Sequence, residues 1–117
     1  EGTLTDRPMR FFASEIIREK IFLNYDKEIP YSVEIAIEEY KEEPTIDRIS
    51  AIIYVARDSQ KGIIIGRRGE KIKQVGTEAR KEIERFFDKR VFLEIFVKVE
   101  DDWRNRENKL RAFGYIE

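Results

Sequence analysis

Gly66 and Gly69 lie three residues apart and bracket the pair Arg67-Arg68, inside the stretch Gly62-Ile63-Ile64-Ile65-Gly66-Arg67-Arg68-Gly69-Glu70-Lys71-Ile72. The chemistry these residues could do is non-covalent. Glycine lets a chain turn sharply and lets another backbone approach with no Cβ in the way. The spacing predicts a four-residue turn between a short helix and a long one beginning at Glu70. The unpaired N–H groups and positive dipole end of the long helix would then face the turn. Arg67 and Arg68 add two cations at its tip, and such a turn suits a row of phosphates. Behind it, Ile64, Ile65 and Ile72 offer an apolar floor for bases. Ile63, Ile64 and Ile65 are consecutive on a helix, so at least one of them is core. A single-stranded nucleic acid presents both things, phosphates outside and bare bases inside.

Other chemistry is excluded by residue type. The chain has no Cys and no His. That removes disulfides, thiolate metal sites, zinc sites of the usual kind and nucleophile–histidine triads. No GxxxxGK[ST] occurs, so no nucleotide-binding P-loop is present. Paired acids such as Glu38-Glu39 and Asp101-Asp102 read as surface and capping residues, not as a hydrolytic pair. The apolar run Ile63 to Ile65 ends at once in the glycine–arginine turn, and the longest run, Ala51 to Ala56, is only six residues, so neither a membrane span nor a secretory signal can be drawn.

The 117 residues make one domain of ordinary size. Because the first residue is Glu1 and not Met, the chain reads as a domain excised from a longer protein. Charged residues are 40% of it, with a net charge of −1. That balance hides a segregation. Asp26 to Glu43 holds seven acids against two bases, whereas Arg57 to Lys73 holds six bases against two acids. A local basic segment on a neutral protein points to an anionic partner, with a solvated face as the plainer reading. The acidic segment would repel RNA and leave the opposite side as the binding face.

The elements that must position the turn follow from periodicity. Asp6-Arg7-Pro8 reads as a helix start, and the 3 and 4 spacing from Met9 carries that helix to about Asn24. Tyr31 to Tyr40 alternates, with Val33, Ile35 and Ile37 on one face, and predicts a half-buried strand. Ile46 to Arg57 predicts a second strand, antiparallel to the first. Asp58 or Ser59 would cap the short helix, about 60–65. The long helix runs from Glu70 to about Asp88 with Ile72, Val75, Ala79, Ile83, Phe86 and Phe87 as its stripe. Gly76 inside it costs about 1 kcal/mol relative to Ala and reads as a packing glycine that admits another backbone. Val91 to Val99 predicts a third strand. Asp101 or Asp102 would cap a short terminal helix ended by Gly114. The expectation is an α+β domain, α-β-β-α-α-β, with a three-stranded sheet buried on one face only and helices on that side. Trp103 reads as an anchor of the terminal helix. Phe92 and Phe96 would pack on that helix or on a further domain. Tyr31 and Tyr40 read as partly buried aromatics flanking the first strand.

A bare GxxG is weak evidence, but here it joins a short and a long helix after two strands. In that setting Ile64-Ile65-Gly66-Arg67-Arg68-Gly69-Glu70-Lys71-Ile72 resembles the KH domain, whose GxxG loop clamps four nucleotides. The leading helix and strand pair resemble the type II arrangement with its mixed sheet, over a core of about 31–99. Thr5-Asp6-Arg7-Pro8, Ala13 to Lys20, Ile29 to Val33, Ile72 to Lys81 and Trp103-Arg104-Asn105…Phe113-Gly114-Tyr115 resemble the C-terminal domain of the Era family of GTPases. This resemblance implies the RNA-binding KH domain of a ribosome-assembly GTPase, binding the 3′ end of small-subunit ribosomal RNA on the small ribosomal subunit. It implies Gly66, Arg67, Arg68 and Gly69 as the backbone clamp and Ile64, Ile65 and Ile72 as the groove. Lys61, Lys71 and Lys73 would supply further phosphate contacts, and the strand Val91 to Val99 the far wall. In the family the GTPase domain precedes the KH domain. GTP and Mg²⁺ are therefore expected only on that domain, no cofactor or metal on this chain, and no GTP hydrolysis by it. A cytoplasmic location is implied, with the parent peripheral at the inner face of the membrane, although no amphipathic basic helix stands out here. Two other readings stay open. One is a KH fold serving another RNA system, such as a small-subunit ribosomal protein or a transcription elongation factor. The other is a degenerate KH module used for protein docking or for regulating an attached GTPase domain.

Overall fold

In a computed structural model of the chain, residues 2–26 and 28–100 are described. The elements in order are α1 (Gly2–Asn24), a one-turn helix α2 (Glu28–Tyr31), β1 (Glu34–Glu42), β2 (Ile46–Val55), α3 (Asp58–Ile65), a 3₁₀ turn (Arg67–Gly69), α4 (Glu70–Phe87) and β3 (Arg90–Val99). The strands form one sheet in the order β1-β2-β3. β1 is antiparallel to β2, and β2 is parallel to β3. A parallel pair cannot be joined by a tight turn, so the chain must cross over between β2 and β3. α3 and α4 are that crossover, and the glycine–arginine turn is its corner.

The inward residues line up in rows across the sheet: Ile35, Ile53 and Val97; Ile37, Ala51 and Ile95; Tyr40, Ile49 and Leu93. Ala13, Ile17 and Ile21 of α1 and Val75, Ala79 and Ile83 of α4 are buried against that face. The rows stay in step because of a bulge. The β1–β2 register slips between Ile37 and Glu39. One extra residue shifts the side-chain phase, so Tyr40 turns inward where strict alternation would have pointed Glu39. Tyr40 is buried, and its hydroxyl donates to Asp47 Oδ2 at 3.0 Å.

Several boundaries differ from those the sequence predicts, each for a local reason. α1 begins at Gly2, so Asp6 lies inside it and not at its start. Pro8 is also internal and offers no N–H to the preceding turn. β1 begins at Glu34 because Tyr31 closes α2, where the Ser32 N–H donates to the Ile29 carbonyl at 3.0 Å. β2 stops at Val55 because the N–H groups of Ala56 and Arg57 both donate to Gln60 Oε1 at 3.0 Å. Arg57 thus takes the N-cap position of α3, with Gln60 three residues on reaching back in the manner of a capping box. Neither Asp58 nor Ser59 does so.

The sheet is also less one-sided than expected. Ile52, Tyr54 and Ala36 are buried on the face away from the core helices, while Phe92 and Phe96 on that face are exposed. The guanidinium of Arg48 lies 5.3 Å from the centre of the Phe92 ring. The terminal helix expected from Asp101, with Trp103, lies outside the described residues.

Candidate nucleic-acid interface

α3 ends when the Gly66 N–H donates to the Gly62 carbonyl at 2.9 Å. Gly66 then adopts φ +78°, and Gly69 adopts φ +72°. Both values lie in the left-handed region, where a side chain is disfavoured. Gly66 needs glycine for a second reason. A Cβ there would lie 2.5 Å from Lys71 Cβ and 3.1 Å from the Lys71 nitrogen. At Gly69 a Cβ would meet nothing within 4 Å among the described residues, so the dihedral is what demands glycine. Between them Arg68 is itself left-handed, with φ 55°. An L-residue held there costs about 1 kcal/mol or more, a strain typical of a functional turn.

This geometry points Arg67 and Arg68 outward, and both are exposed. Lys73 is exposed and Lys61 half-buried. None of these four has a carboxylate partner among the described residues, whereas Lys20, Arg48, Arg80 and Lys89 all do. The cations around the turn are therefore available to an anion from outside. The first turn of α4 lies directly behind them, where the Glu70 N–H donates to the Arg67 carbonyl.

The proposed floor residues separate. Ile64 is 0% exposed and belongs to the core. It can support a groove from beneath but has no surface on which a base could lie, so the expectation of a floor at this position is corrected. Ile65 and Ile72 are half-buried and keep open surface. Ile63 is exposed.

A groove of about 260 Å³ opens between α4 and β3, lined by Ile72, Lys73, Gly76, Thr77, Arg80, Leu93 and Ile95. No local pattern in the sequence assembles this set. Gly76 in particular reads from the sequence as a packing glycine. Among the described residues its nearest neighbour for an added Cβ is the tip of Ile95, at an ordinary 3.7 Å, with no other element's backbone within 4 Å. The missing side chain deepens the groove instead. The signal in the sequence was Gly76, Thr77 and Arg80 at helical spacing with Ile72 and Lys73, but their partners Leu93 and Ile95 sit on a strand that only the crossover brings alongside.

Lys71 and Lys73 point to different sides of α4. Lys73 borders the groove. Lys71 Nζ sits 5.5 Å from the centre of the Tyr25 ring, on the side of α1. There Asn24 donates to Glu78 Oε1 at 3.0 Å, and Gln74 donates to Asn24 Oδ1 at 3.0 Å and to Glu78 Oε2 at 3.2 Å. These two donated hydrogen bonds hold the Glu78 carboxyl below its ordinary range, with smaller help from Lys20 and Lys71. Lys20 pairs with Glu82 at 2.5 Å, and that hydrogen bond raises its pKa. The end of α1 is thus fixed to α4 by polar contacts. No cluster of potential metal ligands occurs among the described residues.

A three-stranded mixed sheet with a helix–GxxG–helix crossover defines a KH-type module, and the chain belongs to the KH-domain family, whose model matches residues 28–104. Within that family the chain is similar to GTPase Era. It is 51% identical over 116 residues to GTPase Era of Geotalea daltonii, across 98% of this chain and 39% of that protein. It is 50% identical over 114 residues to GTPase Era of Coxiella burnetii, across 97% of this chain and 39% of that protein. The chain therefore spans about two-fifths of the length of these relatives. Among solved structures it resembles Aquifex aeolicus Era bound to GDP·AlF4⁻, with a TM-score of 0.81 and 40% identity over 94% of this chain and 38% of that one. It resembles equally Era in complex with MgGDPNP and nucleotides 1506-1542 of 16S ribosomal RNA, with a TM-score of 0.81 and 40% identity over 94% of this chain and 37% of that one.

Proposed function

We propose that this chain binds a short single-stranded RNA, the 3′ end of small-subunit ribosomal RNA, as the KH domain of an Era-type GTPase acting in assembly of the small ribosomal subunit. The observation that carries the reading is the Gly66–Gly69 turn, with its two cations free of acidic partners, set at the N-terminus of α4 and beside the groove between α4 and β3. Phosphates would rest on the turn and the first amides of α4. Bases would lie over Ile65 and Ile72 and enter the groove toward Leu93 and Ile95, with Ile64 beneath. Lys73 at the rim, with Lys61 and Lys71 nearby, would add positive potential. Base identity would be read by hydrogen bonds to base edges, for which Thr77 and Arg80 line the groove. The Era complex with a 16S ribosomal RNA segment supports the choice of RNA. The mechanism is binding without a catalytic step, and GTP with Mg²⁺ would belong to an attached GTPase domain. The setting is cytoplasmic. Among the described residues no helix is long and apolar enough to cross a membrane.

The test is fluorescence anisotropy with a labelled single-stranded RNA matching that ribosomal segment, against a scrambled one, across a salt series. We expect preference for the ribosomal sequence and loss of binding in the folded Arg67→Asp/Arg68→Asp variant. Neutralising two to four phosphates on a single strand predicts a log–log salt slope of about −1.4 to −2.8. Unchanged affinity in the folded double variant would sink the clamp. Equal binding to both RNAs would demote the ribosomal target, and no binding to either would favour a docking module.

A further inference from the structure

Tyr25 lies just past the end of α1, 39 residues from Ile64, yet its hydroxyl donates to the Ile64 carbonyl at 2.5 Å. Ile64 is in the last turn of α3, where the final carbonyls have no partner within the helix. The bond therefore satisfies an orphan acceptor two residues before Gly66. The same ring carries the ammonium of Lys71, 5.5 Å from its centre. The stem of Lys71 is the part of the chain against which Gly66 fits, since a Cβ on Gly66 would collide with Lys71 Cβ. One aromatic side chain thus touches the chain on both sides of the turn, at the exit of α3 and at the start of α4.

On the reading that this turn holds phosphates, we propose that Tyr25 is its positioning residue, fixing Ile64 with its hydroxyl and seating Lys71 on its ring so that the turn has its binding shape before RNA arrives. Preorganisation of this sort raises affinity by removing the ordering cost from the binding step. The hydroxyl is protonated at neutral pH, as any tyrosine is, and burial pushes the phenol up to about 12.

The test variant is Tyr25→Phe in the 117-residue chain. It keeps the ring under Lys71 and removes only the donor. In the free protein, the amides of Gly66 and Gly69 are hydrogen-bonded to Gly62 and to Gly66. We expect their hydrogen exchange to quicken about five- to tenfold, in line with one lost hydrogen bond, with Ile53 and Ile83 unchanged. For single-stranded RNA we expect affinity to fall by about the same factor while the salt slope keeps its wild-type value, because no cation is removed. Wild-type exchange at the turn overturns the proposal. So does acceleration spread equally to Ile53 and Ile83, which marks a purely structural role, and so does full RNA affinity in the variant or a reduced slope. Failure of the wild-type chain to bind any RNA would instead remove the clamp reading, and the exchange measurement would still decide whether Tyr25 holds the turn.

Discussion

At the scale of single residues, the two glycines of the turn do different work although the sequence presents them as a symmetric pair. Gly69 needs only its positive φ, and alanine there should cost about 1–2 kcal/mol. Gly66 needs the dihedral and the space, because a Cβ would press on the backbone nitrogen and Cβ of Lys71. The overpacking adds about 1–3 kcal/mol to the same left-handed strain. Urea unfolding of Gly66→Ala and Gly69→Ala should therefore rank Gly66→Ala clearly the less stable. Equal losses would mean the turn is looser than its geometry. That both positions are glycine was legible in the sequence. Which of them is crowded was not, because the crowding comes from how Lys71 folds back on the turn.

At the scale of elements, α4 serves two neighbours with two faces. Val75, Ala79 and Ile83 enter the core, and Gly76, Thr77 and Arg80 line the groove against β3. A glycine in mid-helix is unfavourable unless something needs it, and the need here is open space over Ile95. Gly76→Ala should raise stability by up to about 1 kcal/mol, since the methyl group fits at an ordinary contact distance. The same methyl group makes the groove shallower, so RNA affinity should fall. Thermal unfolding and anisotropy on one sample check both. Destabilisation by Gly76→Ala would restore the close-packing reading that the sequence invites. Periodicity located α4 and β3 almost to the residue. It could not say that they leave a gap, since a gap belongs to the pair and to neither element.

At the scale of the molecule, the sheet separates charge from site. β1 forms one edge and carries exposed Glu38, Glu39 and Glu42, while β3 at the other edge borders the groove. Charges on an edge strand discourage strand-to-strand association, and these also keep negative potential away from the groove. The far end of α4 is secured by an ion pair. Asp47 is 0% exposed, with Oδ1 2.6 Å from Lys89 Nζ and Oδ2 accepting from the Tyr40 hydroxyl. The pair joins the start of β2 to the turn between α4 and β3. Lys89→Met would strand a buried carboxylate, and a loss of about 3 kcal/mol is expected, at the low end for a broken buried pair because Lys89 is partly exposed. RNA affinity measured well below the melting temperature should stay at the wild-type value, because the pair lies at the opposite end of α4 from the turn. A fall in affinity would show that the two ends of α4 are coupled.

The sequence by itself determined the order of the longer elements, the core face of each strand and the glycine–arginine turn. These follow from local periodicity, backbone sterics and residue type, which are properties of short stretches of chain. It also carried the KH resemblance, because that motif is contiguous. Tertiary structure alone decided that Ile64 is core while Ile65 and Ile72 remain open, and that Lys71 and Lys73 face different partners. It alone placed Tyr25 behind the turn and brought Leu93 and Ile95 opposite Gly76. Each of these depends on contacts between residues far apart in the chain. The crossover and the docking of α1 on α4 fix such contacts, and no local pattern encodes their distances.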